Sequence, residues 1–250
     1  MMDLSGKTVV VTGASRGIGA ATARALNAAG ARTIIHASRH GIEFDAVAGE
    51  VCMSKDDALI EDFSDRDAGF RLFDRALQNA PRIDAVINNA GVFLDASLMA
   101  PREEWTDVWA RTQQINVQAP ADICFAAIAH YRKSGGGVLV NIASRAGHRG
   151  DSIDGAAYAA SKGAILAMTK TFARQLGGEN ILAYAIAPGW VETRMAPKEV
   201  AARAAATAEI PLGRVAAPEE IAAMAVFLAG RACPSATGAT FDINGASYVR

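Results

Sequence analysis

An α/β fold, a doubly wound parallel sheet of seven strands with helices on both faces, is predicted by three features of this chain. Short β-rich runs alternate with longer helical patterns across all 250 residues, the signature of parallel strands joined by crossover helices. Several of the β-rich runs are continuously apolar, as strands covered on both faces must be. The first runs into a glycine-rich turn, Thr12-Gly13-Ala14-Ser15-Arg16-Gly17-Ile18-Gly19, that opens a helix.

Strands are predicted over 8–12, 33–37, 58–61, 85–87, 138–142, 181–186 and 240–243. Helical patterns fall over 18–29, 67–79, 103–131, 157–176 and 218–228. Right-handed crossovers then place the helices on both faces of one sheet. Two stretches fit less well. Residues 40–57 should hold a crossover helix but are short and weakly periodic, and the Ala-rich residues 190–212 read as a helical flap over a substrate site. No repeat, low-complexity tract or linker divides the chain, so 1–250 is expected to form one domain.

Composition excludes several function classes. A formal net charge of −1 gives no electrostatic footprint for nucleic acid or an anionic membrane. The first apolar run begins too early and is too short for a signal peptide, and the sequence has no run of eighteen apolar residues such as a bilayer span would need. Cys52, Cys124 and Cys233 are far apart and read as buried thiols in a reducing compartment. His36, His40, His130 and His148 lack metal-ligand spacing, so no metal site is expected. A cytoplasmic protein is expected.

The turn after the first strand carries the first chemistry. Its glycines let the backbone turn sharply and approach a pyrophosphate, while the helix N-terminus offers unpaired N–H groups. The second strand ends in Ala37-Ser38-Arg39-His40 with no acid to hold a ribose 2′-hydroxyl. Arg39, with Arg16 on the turn, could instead grip a 2′-phosphate, which favours NADP(H) over NAD(H). Arg39 as a solvated loop residue is the duller alternative. The second chemistry lies in Tyr158-Ala159-Ala160-Ser161-Lys162. A spacing of four puts phenol and ammonium on one helix face, where the ammonium is expected to lower the phenol pKa toward useful proton transfer.

With these motifs in place, the chain resembles the short-chain dehydrogenase/reductase family over nearly its whole length. The turn 12–19 matches the family's T-G-x-x-x-G-x-G, and Asn88-Asn89-Ala90-Gly91 its N-N-A-G. Asn116, Ser144, Tyr158 and Lys162 stand where the family carries its catalytic residues. Pro188-Gly189 with Val191 and Thr193 matches P-G-x-v-x-T, and Thr237-Gly238 with 242–245 resembles the last strand of bacterial members. The resemblance implies a Rossmann-type fold and an NADP(H)-dependent interconversion of ketone and secondary alcohol. Ser144 would polarise the carbonyl, Tyr158 exchange its proton, and Lys162 assist Tyr158 and bond the nicotinamide ribose. The backbone carbonyl of Asn116 would hold a water linking Lys162 to solvent. Gly13, Ser15, Arg16, Gly17, Ile18, Gly19, Ser38, Arg39, Asp62, Phe63, Asn89, Ala90, Gly91, Pro188, Gly189, Val191 and Thr193 would line the cofactor, with Tyr158 and Lys162 at its nicotinamide end.

There are departures from the pattern. Ser144 precedes Tyr158 by fourteen residues, one more than is usual in the family, implying a longer loop over 145–157 beside the substrate. Tyr184 replaces a frequent asparagine, a structural change. Glu179-Asn180 stands where 3-oxoacyl-carrier-protein reductases often have basic residues, which counts against that substrate, although Arg132 and Lys133 keep it open. Arg145, His148 and Arg149 could face a polyhydroxylated or anionic substrate, or be solvated. A 3-oxoacyl thioester and a sugar or polyol therefore remain open as substrates. A cofactor-binding sensor or scaffold without turnover is the alternative function, and a homotetramer paired through the helices at 103–131 and 157–176 is expected.

Overall fold

The computed structural model describes residues 2–95, 97–194 and 199–250. Its strands are β1 (Thr8–Val11), β2 (Arg32–Ala37), β3 (Ala58–Ile60), β4 (Ala85–Asn88), β5 (Gly137–Ile142), β6 (Ile181–Pro188) and β7 (Thr240–Ile243). All are parallel, in the order β3-β2-β1-β4-β5-β6-β7. The helices are α1 (Gly17–Ala28), α2 (Ile42–Val51), α3 (Ala68–Asn79), α4 (Arg102–Gln113), α5 (Ala119–Ser134), α6 (Ala146–Arg149), α7 (Ala156–Leu176), α8 (Val200–Ala208) and α9 (Pro218–Ala229). This is the Rossmann-type doubly wound sheet that the alternation predicts.

Strand period explains the two cores. In β1, Val9 and Val11 join one apolar cluster with residues of α1, α2 and α9, while Val10 joins the other with residues of α3 and α5. All three valines are buried, so both sheet faces are dry and the strand can be apolar throughout. Each such side chain contributes roughly 1.5–3 kcal/mol on burial, an upper figure for a chain already partly collapsed.

Strand order reverses direction at β1, which pairs with β2 on one side and β4 on the other. The chain leaving β1 and the chain leaving β4 therefore diverge and open a crevice at their C-terminal ends, where ligands bind in open α/β sheets. Inside the neighbouring strands, Asn88 Nδ2 donates to Asn141 Oδ1 at 2.9 Å, and Asn141 Nδ2 donates to Thr169 Oγ1 at 2.9 Å. This buried chain fixes β4, β5 and α7 against one another below the crevice.

One element departs from expectation, and a few side chains do as well. The helix expected over 103–131 is divided by a π-helical turn, Gln114–Gln118. Pro120 has no N–H, so the carbonyl of Asn116 loses the donor an α-helix would supply, and the ladder shifts locally. The weakly periodic stretch 40–57 does form a helix, α2, burying Phe44, Val47 and Val51 while Ile42 is exposed. Cys124 is buried as expected, but Cys52 is only half-buried and Cys233 is exposed. Tyr184 is fully buried in β6, its hydroxyl donating to the Cys233 carbonyl at 3.1 Å, which accounts for a bulky residue at that point. Residues 195–198 of the predicted flap lie outside the described residues; the rest includes α8 and a parallel bridge between Val191 and Ala216.

Candidate active site

At the head of the crevice, the glycine turn is tied to its neighbours by backbone geometry that only glycine allows. Gly13 has φ of +65°, and a Cβ there would lie 2.7 Å from Ala90 Cα; a Cβ on Gly19 would lie 2.2 Å from the Gly13 carbonyl oxygen. Asn89 closes the junction: its Nδ2 donates to the carbonyls of Thr12 and Gly13 at 2.9 and 3.1 Å. Thr12 Oγ1 accepts from the N–H groups of Asn89 and Ala90, each at 3.0 Å. Behind the turn, α1 begins with neither a capping side chain nor an acid in its first turn. Its N–H groups and dipole thus remain for an anion. A backbone that approaches this closely and a bare helix N-terminus fit a dinucleotide pyrophosphate.

Deeper in the crevice, four predicted residues lie together. Tyr158 lies in the first turn of α7, its ring 5.1 Å from that of Phe93. Burial raises its pKa, and the Ser144 hydroxyl beside it opposes the rise. One turn on, Lys162 is buried and donates from Nζ to the Ile142 carbonyl at 2.9 Å, at the end of β5. Asn116, also buried, uses its side chain to pin the chain after β4. Its Oδ1 accepts from Val92 N–H at 2.8 Å, and its Nδ2 donates to Val92 O at 2.9 Å and Ser161 Oγ at 3.1 Å. The Gly91 backbone runs past both, since a Cβ on it would stand 3.3 Å from Asn116 Oδ1 and 3.4 Å from Lys162 Nζ.

One electrostatic expectation needs correction. Burial outweighs the neighbouring ammonium, and the net shift of the phenol pKa is upward. The ammonium sits 5.6 Å from the Tyr158 ring centroid with its charge directed at the Ile142 carbonyl, and burial lowers its own pKa to about 8. At neutral pH the pair is an ammonium beside a protonated phenol, an arrangement suited to donating a proton.

A single cavity of about 680 Å³ joins the two regions. Of the predicted cofactor residues, Gly13, Ser15, Arg16, Gly17, Ile18, Gly19, Ser38, Asp62, Phe63, Asn89, Ala90, Gly91, Pro188, Gly189, Val191 and Thr193 line it, as do Ser144, Tyr158 and Lys162. Arg39 is exposed and is not among the lining residues. The acid four residues beyond it, Glu43, reaches the site instead: it hydrogen-bonds Arg194 and lies 3.7 Å from Arg16. Arg145 and Arg149 line the cavity, whereas His148 stacks on Tyr248 at 5.7 Å.

Sequence reasoning passed over His36 and Trp190. His36 is buried, stacks on Phe63 at 4.2 Å, and accepts from Gly13 N–H at Nδ1 (3.3 Å) while Nε2 faces the Glu61 carbonyl at 2.8 Å. Burial pushes its pKa down to about 4, so it is a neutral brace for the glycine turn. A histidine inside an otherwise apolar strand run was the available signal. Trp190 had none beyond its place after Pro188-Gly189.

Among known proteins, residues 13–246 match the family model described as enoyl-(acyl carrier protein) reductase. The 3-oxoacyl-[acyl-carrier-protein] reductase FabG of Thermotoga maritima is 35% identical over 250 residues, covering 99% of this chain and 100% of the relative. A solved structure from Beutenbergia cavernae, a candidate NAD(P)-dependent gluconate 5-dehydrogenase with bound NADP, superposes with a TM-score of 0.87 at 30% identity, covering 97% of each chain. A short-chain dehydrogenase from Burkholderia cenocepacia in complex with NADP superposes with a TM-score of 0.86 at 29% identity, covering 98% of each chain. With motif, site geometry and full-length similarity in agreement, this chain belongs to the short-chain dehydrogenase/reductase family of oxidoreductases.

Proposed function

We propose that this protein is an NADP(H)-dependent oxidoreductase that interconverts a ketone and a secondary alcohol, with Tyr158 exchanging the proton at the substrate oxygen. The observation that carries this is the convergence of Ser144, Tyr158 and Lys162 on the cavity headed by the glycine turn. A bound nicotinamide dinucleotide would supply the hydride in reduction and take it up in oxidation. The glycine turn and the N-terminus of α1 would hold its pyrophosphate, Asp62 and Phe63 its adenine, and Asn89–Gly91 its adenosine. Val191 and Thr193, with Pro188 and Gly189, would fix its carboxamide.

The protein's own residues handle the proton. Ser144 donates to the substrate oxygen and steadies the charge that develops there. Tyr158, kept protonated by burial, gives that oxygen its proton in the reductive direction. Lys162 would bond the nicotinamide ribose and return a proton toward Tyr158. The Asn116 carbonyl, deprived of its α-helical donor by Pro120, is suited to hold a water on the path from Lys162 to solvent.

Preference for NADP(H) is supported by the absence of an acid over residues 37–40, by Arg16 and Ser38 on the cavity wall, and by the NADP in both solved relatives. Glu43 would have to release Arg16 and Arg194 toward the 2′-phosphate. The substrate stays unassigned between a 3-oxoacyl thioester and a compound of sugar or polyol type, acidic derivatives included. Arg132, a basic residue that could meet an acidic carrier, is spent on Glu179 at 2.6 and 3.0 Å, which weighs against the carrier. No helix among the described residues is long and apolar enough to cross a membrane. A cytoplasmic homotetramer, paired through α4, α5 and α7, completes the proposal; Phe125 on α5, 68% exposed, is an apolar group such an interface would cover.

The test is Tyr158→Phe. NADPH consumption with a carbonyl panel should fall by roughly 10²–10⁴-fold, while NADPH binding stays within a factor of two or so of the parent. A variant that reduces ketones at the parental rate would overturn the reading.

A further inference from the structure

The loop after Ser144 carries a buried cation that proton exchange does not use. Arg145 is only 5% exposed, its guanidinium lies 5.8 Å from the centre of the Trp190 ring, and its Nη1 is buried without a hydrogen-bond partner. Arg149, one turn along in α6, lines the same cavity. Burial and the neighbouring charge of Arg149 disfavour the Arg145 cation, and the charges of Glu209 and Asp151 offset them only in part. A guanidinium keeps its charge in proteins, so a buried, incompletely bonded one needs an anion.

The group that these two cations already face identifies the anion. Glu209, just past the end of α8, places one carboxylate oxygen 3.7 Å from Arg145 Nη2 and 3.6 Å from Arg149 Nη2. Both separations exceed a hydrogen bond, and the Glu209 side chain is 55% exposed. The carboxylate is attracted without being seated.

Resting on the oxidoreductase reading above, we propose that Arg145 and Arg149 hold a carboxylate of the substrate, with Glu209 as its internal competitor, so that the protein interconverts an oxo acid and the corresponding hydroxy acid. In reduction, the ketone carbon takes a hydride from NADPH and the oxygen takes a proton from Tyr158, giving the secondary alcohol and NADP⁺. The carboxylate is unchanged and serves to aim the carbonyl at Ser144, the residue adjoining Arg145. Asp151, also on the cavity wall, is placed to accept from hydroxyl groups of a polyhydroxylated acid.

The experiment compares 2-, 3- and 5-oxo acids, each beside its own methyl ester, in the parent and in Arg145→Gln, Arg149→Gln and Glu209→Gln. The parent should prefer acids by at least ~10-fold in kcat/KM, the scale of a charge-assisted contact. Arg145→Gln should erase that preference by raising KM for acids more than for esters. Glu209→Gln should lower KM for acids alone. If Arg145→Gln does not fold, the half-exposed Arg149 supplies the same reading. Esters reduced as well as acids by the parent, or acids and esters impaired equally by the arginine variants, would overturn the carboxylate subsite and leave the oxidoreductase reading intact. Calorimetry of the same compounds on NADP⁺-loaded protein covers the case in which nothing is reduced. Acid binding that weakens in Arg145→Gln then upholds the subsite while the reaction fails; no preferential acid binding overturns the subsite as well.

Discussion

At the scale of single residues, the site carries groups that cost stability. Lys162 is fully inside the protein, bonded to one backbone carbonyl, and its pKa has fallen from 10.5 to about 8. Keeping it charged at pH 7 opposes folding, since a shift of this size corresponds to about 3 kcal/mol. Lys162→Met should therefore unfold at higher denaturant concentration, by about 1–2 kcal/mol after the unpaired Ile142 carbonyl is counted, while losing activity. Equilibrium urea titration beside an NADPH assay reads both; a destabilised variant would mean that the lysine holds the fold. His36 makes the opposite kind of statement. Its folded pKa of about 4 lies below its unfolded value of 6.5, so the unfolded chain binds the proton more tightly. Its contribution is intact above pH 6.5 and is lost as pH falls from there toward 4. About 2 kcal/mol should disappear between pH 7 and pH 5, and His36→Asn should flatten that part of the stability–pH curve.

At the scale of elements, what could be read from sequence depended on how strongly one period dominated. The strands were legible because β-branched runs buried on both faces leave little ambiguity, and Tyr158 and Lys162 were legible because their spacing puts them on one helix face. Helix α2 was faint: Gly49 interrupts it and Ile42, its first residue, faces water, so Phe44, Val47 and Val51 alone mark its inner side. The π turn was hidden inside a long, regular pattern, although Pro120 announced it. Glu43 was missed because only residues 37–40 were weighed, whereas the turn of chain into α2 brings back a side chain from beyond them. Arg145 could be named as a candidate but its burial could not, because that depends on Trp190 arriving from the end of β6. The π turn has its own test. Pro120→Ala restores the missing donor to the Asn116 carbonyl and removes the reason for the shifted ladder. Activity should fall about 10-fold, on the low side of a proton-transfer contribution, with stability unchanged or slightly higher because alanine suits a helix interior. Full activity in Pro120→Ala would mean that the Asn116 carbonyl plays no part in proton transfer.

At the scale of the whole molecule, the crevice joins parts of the chain far apart in sequence, and a ligand that bridges them must act on global stability. The turn after β1, the segment after β4, the end of β6 and the first turns of α7 meet around one cavity, with hydrogen bonds such as those of Asn89 spanning more than seventy residues of chain. A dinucleotide held there binds only the folded state, because the unfolded chain has no cradle. At a concentration one hundred times its dissociation constant it should add about 2.7 kcal/mol, which in a chain of this size raises Tm by about 5–10 °C. Charge then separates the two cofactors. Arg16 and Arg194 share the carboxylate of Glu43, and a 2′-phosphate offers them a doubly charged alternative that a 2′-hydroxyl does not. At equal concentration NADP⁺ should thus raise Tm further than NAD⁺, and Arg16→Ala should narrow the gap mainly by weakening NADP⁺. Glu43→Gln should widen it by freeing both guanidiniums. Thermal melts across a titration of each nucleotide measure all three effects. A larger shift with NAD⁺, or a gap indifferent to both substitutions, would place phosphate discrimination outside this cluster and return the choice of cofactor to the residues that end β2.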